Sequence, residues 1–307
     1  MKRTVQIILI VCVVVLGIIV IAGLGSDAIE IPEGFAGEYI TVDGVKIRYV
    51  QKGRGPDLLC IHGLPGSLED WETVIEPLSA RYRVTVYDRP GHGFSGTEKI
   101  GYNLDHNART ALGLIDALGL KDVIVVGHSY GGSIVMALAV RNPSNIRGFI
   151  TLGGASYEVA HIDPLFRIIS LPLIGRGLAA LASSTVGDGM IQEGVTAAFR
   201  PNEDALPPDY METRKRIFLQ TKVICTLARE EIHLNPDLRG IIPKYGEIGK
   251  PFIIIHGAAD LLVPAADSRK LDSMLSRSKL IILEGVGHQV QFVRPEILIR
   301  AIDEMRG

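Results

Sequence analysis

Polar and apolar residues follow two different patterns along the chain. Residues 39–42 and 45–50 alternate between the two kinds on either side of Asp43-Gly44, a dipeptide typical of a tight hairpin turn. Six later stretches are short and almost continuously apolar, as is typical of strands buried on both faces of a parallel sheet. These stretches are residues 58–61, 84–87, 123–126, 149–152, 252–255 and 280–283.

Amphipathic segments separate the apolar stretches and indicate helices. They lie near residues 69–80, 103–119, 131–142, 264–276 and 293–305. Since strand and helix alternate, we predict an α/β fold with a mostly parallel sheet and helices on both of its faces. The hairpin adds an antiparallel pair at the start of this sheet.

One long segment interrupts the alternation. Between residues 155 and 240 several stretches are typical of helices and none is typical of a strand. An insertion of this size predicts a helical cap over residues 155–240, on a core formed by residues 39–154 and 241–307. Residues 165–181 are unusually apolar, which fits either the interior of the cap or a surface that receives an acyl chain or touches a bilayer.

The N-terminus predicts an association with the membrane. Residues 5–24 carry no charge, and a helix of that length spans about 30 Å, the thickness of a bilayer's hydrocarbon core. We therefore predict a transmembrane anchor over residues 1–25 and a linker over residues 26–38. Lys2 and Arg3 before the apolar run favour a cytoplasmic N-terminus and an extracytoplasmic catalytic domain. The alternative is a signal peptide cleaved near Gly23 and Gly25, which would give a secreted protein.

Composition and charge exclude several classes of function. The net charge is -2 and no run of Lys or Arg occurs, so the electrostatic basis for nucleic-acid binding is missing. The three cysteines form no CxxC pair and have no histidines at zinc-binding spacing, so a structural zinc site has no support. We expect neither a metal nor an organic cofactor.

A candidate nucleophile lies in the pentapeptide Gly127-His128-Ser129-Tyr130-Gly131. This G-x-S-x-G motif follows one predicted strand directly and leads into a predicted helix, which is the setting that a nucleophilic serine on a sharp turn requires. Glycines on both sides of Ser129 leave room for the neighbouring backbone. We predict that Ser129 is the nucleophile.

A serine hydroxyl needs a general base, and the base needs an orienting acid. Asp260 follows one predicted strand closely, and His288 lies in a Gly-rich loop just after the last one. Because parallel strands bring their carboxyl ends to one edge of the sheet, Ser129, Asp260 and His288 can converge. Asp267 is the alternative acid, although it lies within a predicted helix.

The oxyanion hole needs two backbone N–H groups. We assign them to Tyr130, which follows the nucleophile, and to Leu64, in the loop after the strand at residues 58–61. His62 in that loop is interpreted as a residue that braces the loop, and Trp71 as a packing residue.

Four segments resemble the α/β-hydrolase superfamily. They are residues 62–66, residues 88–95 with the sequence DRPGHGFS, residues 127–131, and Gly287-His288. The resemblance is closest to the capped branch of esterases, carbon–carbon bond hydrolases, haloperoxidase-like enzymes, epoxide hydrolases and haloalkane dehalogenases. It implies an eight-stranded sheet with a cap between the sixth and seventh strands. Epoxide hydrolases and dehalogenases use an aspartate nucleophile, and Ser129 at that position argues against both activities.

These observations predict a serine hydrolase that cleaves a carboxylic ester through an acyl-enzyme. The apolar cap and the predicted anchor favour a lipophilic or monoacyl substrate. One alternative is hydrolysis of a carbon–carbon bond in a vinylogous diketone by the same three residues. The other is a non-catalytic, membrane-tethered binding module on a hydrolase scaffold.

Overall fold

The computed structural model describes residues 2–24, 30–97, 101–171 and 174–307. Its centre is one sheet of eight strands: β1 (Glu38–Val42), β2 (Val45–Lys52), β3 (Asp57–Ile61), β4 (Arg83–Tyr87), β5 (Val123–His128), β6 (Ile146–Leu152), β7 (Phe252–Gly257) and β8 (Ser278–Leu283). Their order across the sheet is β1-β2-β4-β3-β5-β6-β7-β8. β2 runs antiparallel to β1 and β4, and all other neighbouring strands are parallel, which confirms the predicted sheet.

The turn between β1 and β2 follows from two residues. Asp43 has a φ of 50° and Gly44 a φ of 82°, so both central residues of the turn lie in the left-handed region. Two-residue hairpin turns with this geometry match the twist of the flanking strands, and an Asp-Gly pair adopts it at low cost. The predicted hairpin is confirmed.

Twelve α-helices occur in the described part of the chain. The first is α1 (Lys2–Ala22). Six helices pack on the sheet: α2 (Glu72–Ser79), α3 (Leu104–Ala117), α4 (Tyr130–Ala139), α10 (Ala265–Met274), α11 (Val290–Val293) and α12 (Pro295–Arg306). Five helices lie in the insertion between β6 and β7: α5 (Pro164–Ile169), α6 (Gly175–Thr185), α7 (Gly187–Phe199), α8 (Tyr210–Phe218) and α9 (Thr221–Ile241). Three 3₁₀-helices add to these, at Leu68–Trp71, Glu203–Ala205 and Ile242–Glu247.

Successive residues of the buried strands point to opposite faces of the sheet, and this alternation creates two cores. In β3, Leu59 and Ile61 join a cluster that includes buried residues of α3, α4 and α10. Leu58 and Cys60 of the same strand join a second cluster with residues of α2, α11 and α12. Helices therefore cover both faces, as predicted.

Helices α5–α9 form the segment that was predicted to be a cap. They follow β6 and precede β7, so the long apolar region over residues 165–181 is divided between α5 and α6. Residues 172 and 173, between these two helices, lie outside the described residues. The domain boundaries at residues 154/155 and 240/241 stay predictions.

The predicted transmembrane anchor is not supported. α1 does form, and its end packs on α6 of the insertion, where Arg176 Nε donates to the Gly23 carbonyl at 3.0 Å. Within helix α1 the structure describes the side chains of residues 5, 6, 11 and 13–22. Over the residues that it describes, no helix has the length and hydropathy needed to cross a bilayer. Residues 25–29, where the predicted anchor ends and the predicted linker begins, lie outside the described part of the chain.

Candidate active site

Three loops at one edge of the sheet carry the candidate catalytic residues. Ser129 follows β5 directly, Asp260 lies three residues beyond the end of β7, and His288 lies five residues beyond the end of β8. These strands are parallel, and only β6 lies between β5 and β7. Residues that are far apart in the sequence therefore meet at the carboxyl edge of the sheet.

The backbone at Ser129 is strained. Its φ of 54° and ψ of -120° are unusual for a residue with a side chain. The Ser129 N–H donates to the Leu152 carbonyl at 3.0 Å, and the Ser129 carbonyl accepts from the Ala155 N–H at 3.1 Å, so the turn is tied to the chain after β6. α4 begins at the next residue and directs its N-terminus at the serine.

The two glycines of the motif are required by close contacts. A Cβ atom at Gly127 would lie 2.3 Å from the Gly131 carbonyl oxygen, and one at Gly131 would lie 2.2 Å from the Ile61 carbonyl oxygen. Both neighbours are backbone atoms, which cannot turn aside as a flexible side chain can. The sharp turn that presents Ser129 therefore depends on both glycines.

Asp260 and His288 form a buried pair. His288 Nδ1 lies 2.7 Å from Asp260 Oδ2, and the two side chains are 4% and 0% exposed. The other carboxylate oxygen, Oδ1, accepts the N–H groups of Leu262 and Val263 at 2.8 and 2.9 Å. Burial alone would raise the pKa of Asp260, but the charge of His288 and hydrogen bonds from His256, His288 and the Val263 N–H outweigh it and lower the pKa. Asp260 is therefore ionised and fixed in place, as an orienting acid must be.

Ser129 and His288 line the same cavity. In the described residues no hydrogen bond joins the Ser129 hydroxyl to the His288 imidazole. The structure thus pairs His288 with Asp260 and places Ser129 in the same cavity. Catalytic hydrogen bonds are often long before substrate binds. Asp267, the alternative acid, lies in α10 and has no hydrogen bond with His288 in this structure.

Two histidines that the sequence did not single out support the pair. His256 Nε2 lies 3.2 Å from Asp260 Oδ2. His128 Nε2 donates to the His288 carbonyl at 3.1 Å, and the two rings lie 4.7 Å apart. Burial, with a smaller effect of His288, lowers the pKa of His128 to about 3, so His128 is neutral and holds the loop of His288. The only feature of the sequence that could have indicated this supporting role is the position of His128 directly before Ser129.

The candidate oxyanion hole lies where the loop after β3 passes the nucleophile. A Cβ atom at Gly63 would be 3.0 Å from the Ser129 Cβ, so the backbone of this loop lies against the serine. Neither the Leu64 N–H nor the Tyr130 N–H donates to a protein acceptor in the described part of the chain. Both groups are thus available to a developing oxyanion.

His62 braces this loop, as expected. Its Nε2 accepts the Arg89 N–H at 2.9 Å, and its Nδ1 lies 2.9 Å from the Gly63 carbonyl oxygen. Burial and the nearby Arg89 hold the pKa of His62 well below its usual value, so the ring is neutral. Trp71 is fully buried among apolar side chains of the core, in agreement with a packing role.

A cavity of about 480 Å³ opens over Ser129 and His288. Most of its wall is apolar and comes from the insertion, with Phe166, Ile169, Met190, Ile191, Val195, Phe218, Leu219, Ile224, Leu227 and Leu234. Asp70 and Glu231 add two carboxyl groups, and burial together with the neighbouring Glu230 raises the pKa of Glu231 to about 7. Among the described residues, no Lys or Arg lines this cavity.

Comparisons with known proteins identify the family. The family model of the alpha/beta hydrolase fold matches residues 56–295, and the chain belongs to this family. It is 26% identical to the 2-(acetamidomethylene)succinate hydrolase of Mesorhizobium japonicum over 87% of this chain and 94% of the relative. It is also 26% identical to the 2-hydroxy-6-oxo-2,4-heptadienoate hydrolase of Pseudomonas putida over 87% and 95% of the two chains. The protein is therefore an enzyme of the hydrolase class.

One solved structure resembles the chain over its entire length. It is the crystal structure of a membrane phospholipase A that is described as a bacterial virulence factor, with a TM-score of 0.68, 21% identity and full coverage of both chains. At this identity the likeness shows a shared fold.

In the described residues no group of three or more His, Cys, Asp or Glu side chains has an arrangement that could hold a metal ion.

Proposed function

We propose that this hydrolase cleaves a carboxylic ester with a lipophilic acyl group, such as a monoacyl lipid, through a Ser129–His288–Asp260 triad. The observation that carries the proposal is a strained serine in the same apolar cavity as a buried His–Asp pair. A hydroxyl at such a turn with an oriented imidazole nearby is the arrangement that acyl transfer requires.

In the first half of the reaction, Ser129 Oγ attacks the carbonyl carbon of the ester while His288 Nε2 accepts the hydroxyl proton. Asp260 holds the proton on Nδ1 and stabilises the imidazolium. The oxyanion accepts hydrogen bonds from the Leu64 and Tyr130 N–H groups, each worth about 3 kcal/mol in the transition state. His288 then gives its proton to the leaving alcohol.

In the second half, water attacks the acyl-enzyme. His288 accepts a proton from the water and returns one to Ser129 as the acid leaves. The apolar side chains of the insertion line enough space for an acyl chain and exclude bulk water from the carbonyl.

The apolar wall supports a lipophilic acyl group. A cavity of about 480 Å³ falls in the range of small-molecule sites, and removing an acyl chain from water gains about 0.8 kcal/mol for each buried methylene. The likeness to a structure described as a membrane phospholipase A agrees with this substrate class at the level of the fold.

The second candidate is hydrolysis of a carbon–carbon bond. The similarity to a protein named 2-hydroxy-6-oxo-2,4-heptadienoate hydrolase favours this candidate. A dienoate substrate carries a carboxylate. The lining of the described cavity offers two carboxyl groups and no Lys or Arg to meet that charge. Asp70 is paired with Arg214 at 3.1 Å, but burial and the neighbouring Glu230 raise the pKa of Glu231 to about 7, and above that pH its charge repels a dienoate carboxylate. The electrostatics thus support the neutral ester.

Labelling with a fluorophosphonate probe tests the nucleophile. We expect the wild-type protein to be labelled and Ser129→Ala to be inert, with Ser133→Ala, a neighbouring serine on α4, labelled like the wild type. A folded wild-type protein that resists the probe would contradict the proposal and favour the non-catalytic binding module.

Hydrolysis of 4-nitrophenyl esters of graded length tests the substrate class. We expect kcat/KM to rise from acetyl to longer acyl chains as apolar contacts with the insertion accumulate. A preference for acetyl would contradict the lipophilic substrate. A ring-cleavage dienoate assayed in parallel separates ester hydrolysis from carbon–carbon bond hydrolysis. If the enzyme is an ester hydrolase, the dienoate must be the poorer substrate.

A further inference from the structure

A buried ionic network joins the loop of the oxyanion hole to the insertion. Arg89 follows β4 and is completely buried. Its Nη2 donates to the Gly63 carbonyl at 2.9 Å, and its Nη1 lies 2.6 Å from Glu230 Oε1. Glu230 belongs to α9 and is 1% exposed, so one guanidinium connects the insertion with the loop after β3.

The contact with Gly63 acts on the candidate oxyanion donor. The Gly63 carbonyl and the Leu64 N–H belong to one planar peptide group and point in opposite directions. A hydrogen bond that fixes the carbonyl oxygen therefore fixes the direction of the N–H. A cationic donor on the oxygen also polarises the peptide and strengthens the N–H as a donor.

Arg89 acts on the same carbonyl by a second route. Its backbone N–H donates to His62 Nε2, so the proton of the neutral ring is on Nδ1. Nδ1 then donates to the Gly63 carbonyl oxygen at 2.9 Å. The guanidinium carbon also lies 4.6 Å from the centre of the Tyr130 ring, and Tyr130 supplies the other candidate donor. Arg89 thus contacts the carbonyl of the peptide group that carries the Leu64 N–H and the ring of Tyr130.

Glu230 holds Arg89 in this position. Its Oε1 accepts from Arg89 and from Asn107 Nδ2, the latter at 2.8 Å, and its Oε2 accepts from His92 Nε2 at 2.9 Å. Burial would raise the pKa of Glu230, but Arg89 and His92 outweigh burial and lower the pKa to about 2. The carboxylate is therefore ionised, and its charge balances that of the guanidinium.

We infer that Glu230 and Arg89 are positioning residues for the oxyanion hole, so that the insertion sets the catalytic rate as well as shaping the cavity. This inference rests on the proposed function. Its rival is a purely structural tie between α9 and the core. The two differ in what they affect, because an oxyanion hole that loses its alignment weakens transition-state binding, whereas a lost tie only destabilises the fold.

The test uses Glu230→Gln, which keeps the shape and removes the charge, and Arg89→Lys, which keeps the charge but lacks the planar fork whose two nitrogens meet Glu230 and Gly63. The matched control is Asp237→Asn on the same helix. Asp237 accepts the Leu104 N–H at 2.8 Å and ties α9 to α3 without contacting the loop of Gly63. All variants are assayed on 4-nitrophenyl butyrate, with the fraction of active enzyme counted by complete fluorophosphonate labelling.

We expect kcat per active site to fall about 10- to 100-fold in both variants, a part of the 10²- to 10³-fold loss caused by removing a whole donor, with KM changed less than about 2-fold. The affinity for a trifluoromethyl ketone, which forms an oxyanion adduct, falls in parallel. The affinity for an alkyl ether of equal length, which has no carbonyl, stays constant. Asp237→Asn leaves all three quantities unchanged.

Three outcomes overturn the inference. They are an unchanged kcat in a folded Glu230→Gln protein, equal losses of affinity for the ketone and the ether, and equal effects of Glu230→Gln and Asp237→Asn. If Glu230→Gln does not fold, Arg89→Lys alone decides through the same comparison of ketone and ether. A wild-type protein that fluorophosphonate does not label would instead refute the proposed function, so the two failures are distinguishable.

Discussion

Replacing Asp260 by asparagine tests the proposed triad most directly, because the structure dictates how the new amide must lie. Oδ1 of Asp260 accepts two backbone N–H groups, from Leu262 and Val263. The asparagine oxygen has to remain there, since an NH₂ group would face two donors. Its NH₂ group must therefore face His288 Nδ1.

This orientation reverses the tautomer of the base. With an N–H donor facing it, His288 Nδ1 can only accept, so the proton moves to Nε2, and Nε2 can no longer take a proton from Ser129. The variant also loses the charge that stabilises the imidazolium. At an effective dielectric constant of about 20, unit charges at the observed 2.7 Å attract by about 6 kcal/mol, which corresponds to a rate factor of about 10⁴.

We therefore expect kcat of Asp260→Asn to fall about 10⁴-fold while KM changes little. Stability should change by only about 1 kcal/mol, because both backbone hydrogen bonds to the side chain are kept. The assay is hydrolysis of 4-nitrophenyl butyrate, together with unfolding in urea to verify the fold. Asp267→Asn is the control and should stay within about 2-fold of the wild type, since Asp267 does not contact the base.

A loss of less than about 100-fold in a folded Asp260→Asn protein would refute the assigned role, because neither the reversed tautomer nor the lost charge is compatible with so small an effect. A large loss in Asp267→Asn would move the acid to α10. The double variant, with asparagine at both 260 and 267, tests whether the two carboxylates substitute for each other, in which case it loses far more activity than either single variant.

Three further changes test other parts of the structure. Gly131→Ala should lower the free energy of unfolding, measured in urea, by about 2–4 kcal/mol, because the new Cβ meets the Ile61 carbonyl oxygen. Gly240→Ala, which adds a Cβ in open space on α9, should raise this free energy by about 0.5–1 kcal/mol. Equal effects of the two substitutions would contradict the packing argument. Glu231 is neutral below its pKa of about 7 and charged above it. The KM for a neutral long-chain ester should therefore rise above pH 7 in the wild type and stay constant in Glu231→Gln. Identical pH profiles of KM in the two proteins would contradict this. Val195→Trp fills part of the cavity and should shift the preferred acyl chain to a shorter length in the graded ester assay, and an unchanged optimum would place the chain elsewhere.

The sheet and the location of the site were predictable because their signals are local. Buried strands are short apolar runs, and the Asp43-Gly44 pair specifies its own turn by the positive φ values it permits. The setting of Ser129 between a strand and a helix also lies within a few residues. The parallel topology then predicts which edge of the sheet Asp260 and His288 share.

The network behind the oxyanion hole was not predictable in this way. Arg89 and Glu230 are 141 residues apart, and no spacing or periodicity relates a residue after β4 to one in α9. Arg89 lies in the DRPGHGFS segment that resembles the family, but that segment does not indicate a partner, and Glu230 has no local signal before the fold buries it. His128 was likewise not predictable as a support, because its partner is the His288 carbonyl in another loop. His256 lies only four residues before Asp260, but no pattern in the sequence indicates that the two side chains meet.

The predicted anchor over residues 1–25 has no support in the described part of the chain, where no helix has the length and hydropathy needed to cross a bilayer. An apolar run of sufficient length satisfies the criterion for a membrane span whatever it packs against. The contact between α1 and α6, through Gly23 and Arg176, depends on tertiary structure that hydropathy cannot report.

The ion pair between α9 and the core also limits how this enzyme can be re-engineered by exchange of modules. A foreign lid grafted between β6 and β7 would bring new walls to the cavity and, with them, new selectivity. Unless it also delivered a carboxylate to the position of Glu230, it would leave Arg89 as a solitary buried cation, which costs several kcal/mol. Chimeras should thus succeed only when the donor lid carries an acid in register with this arginine.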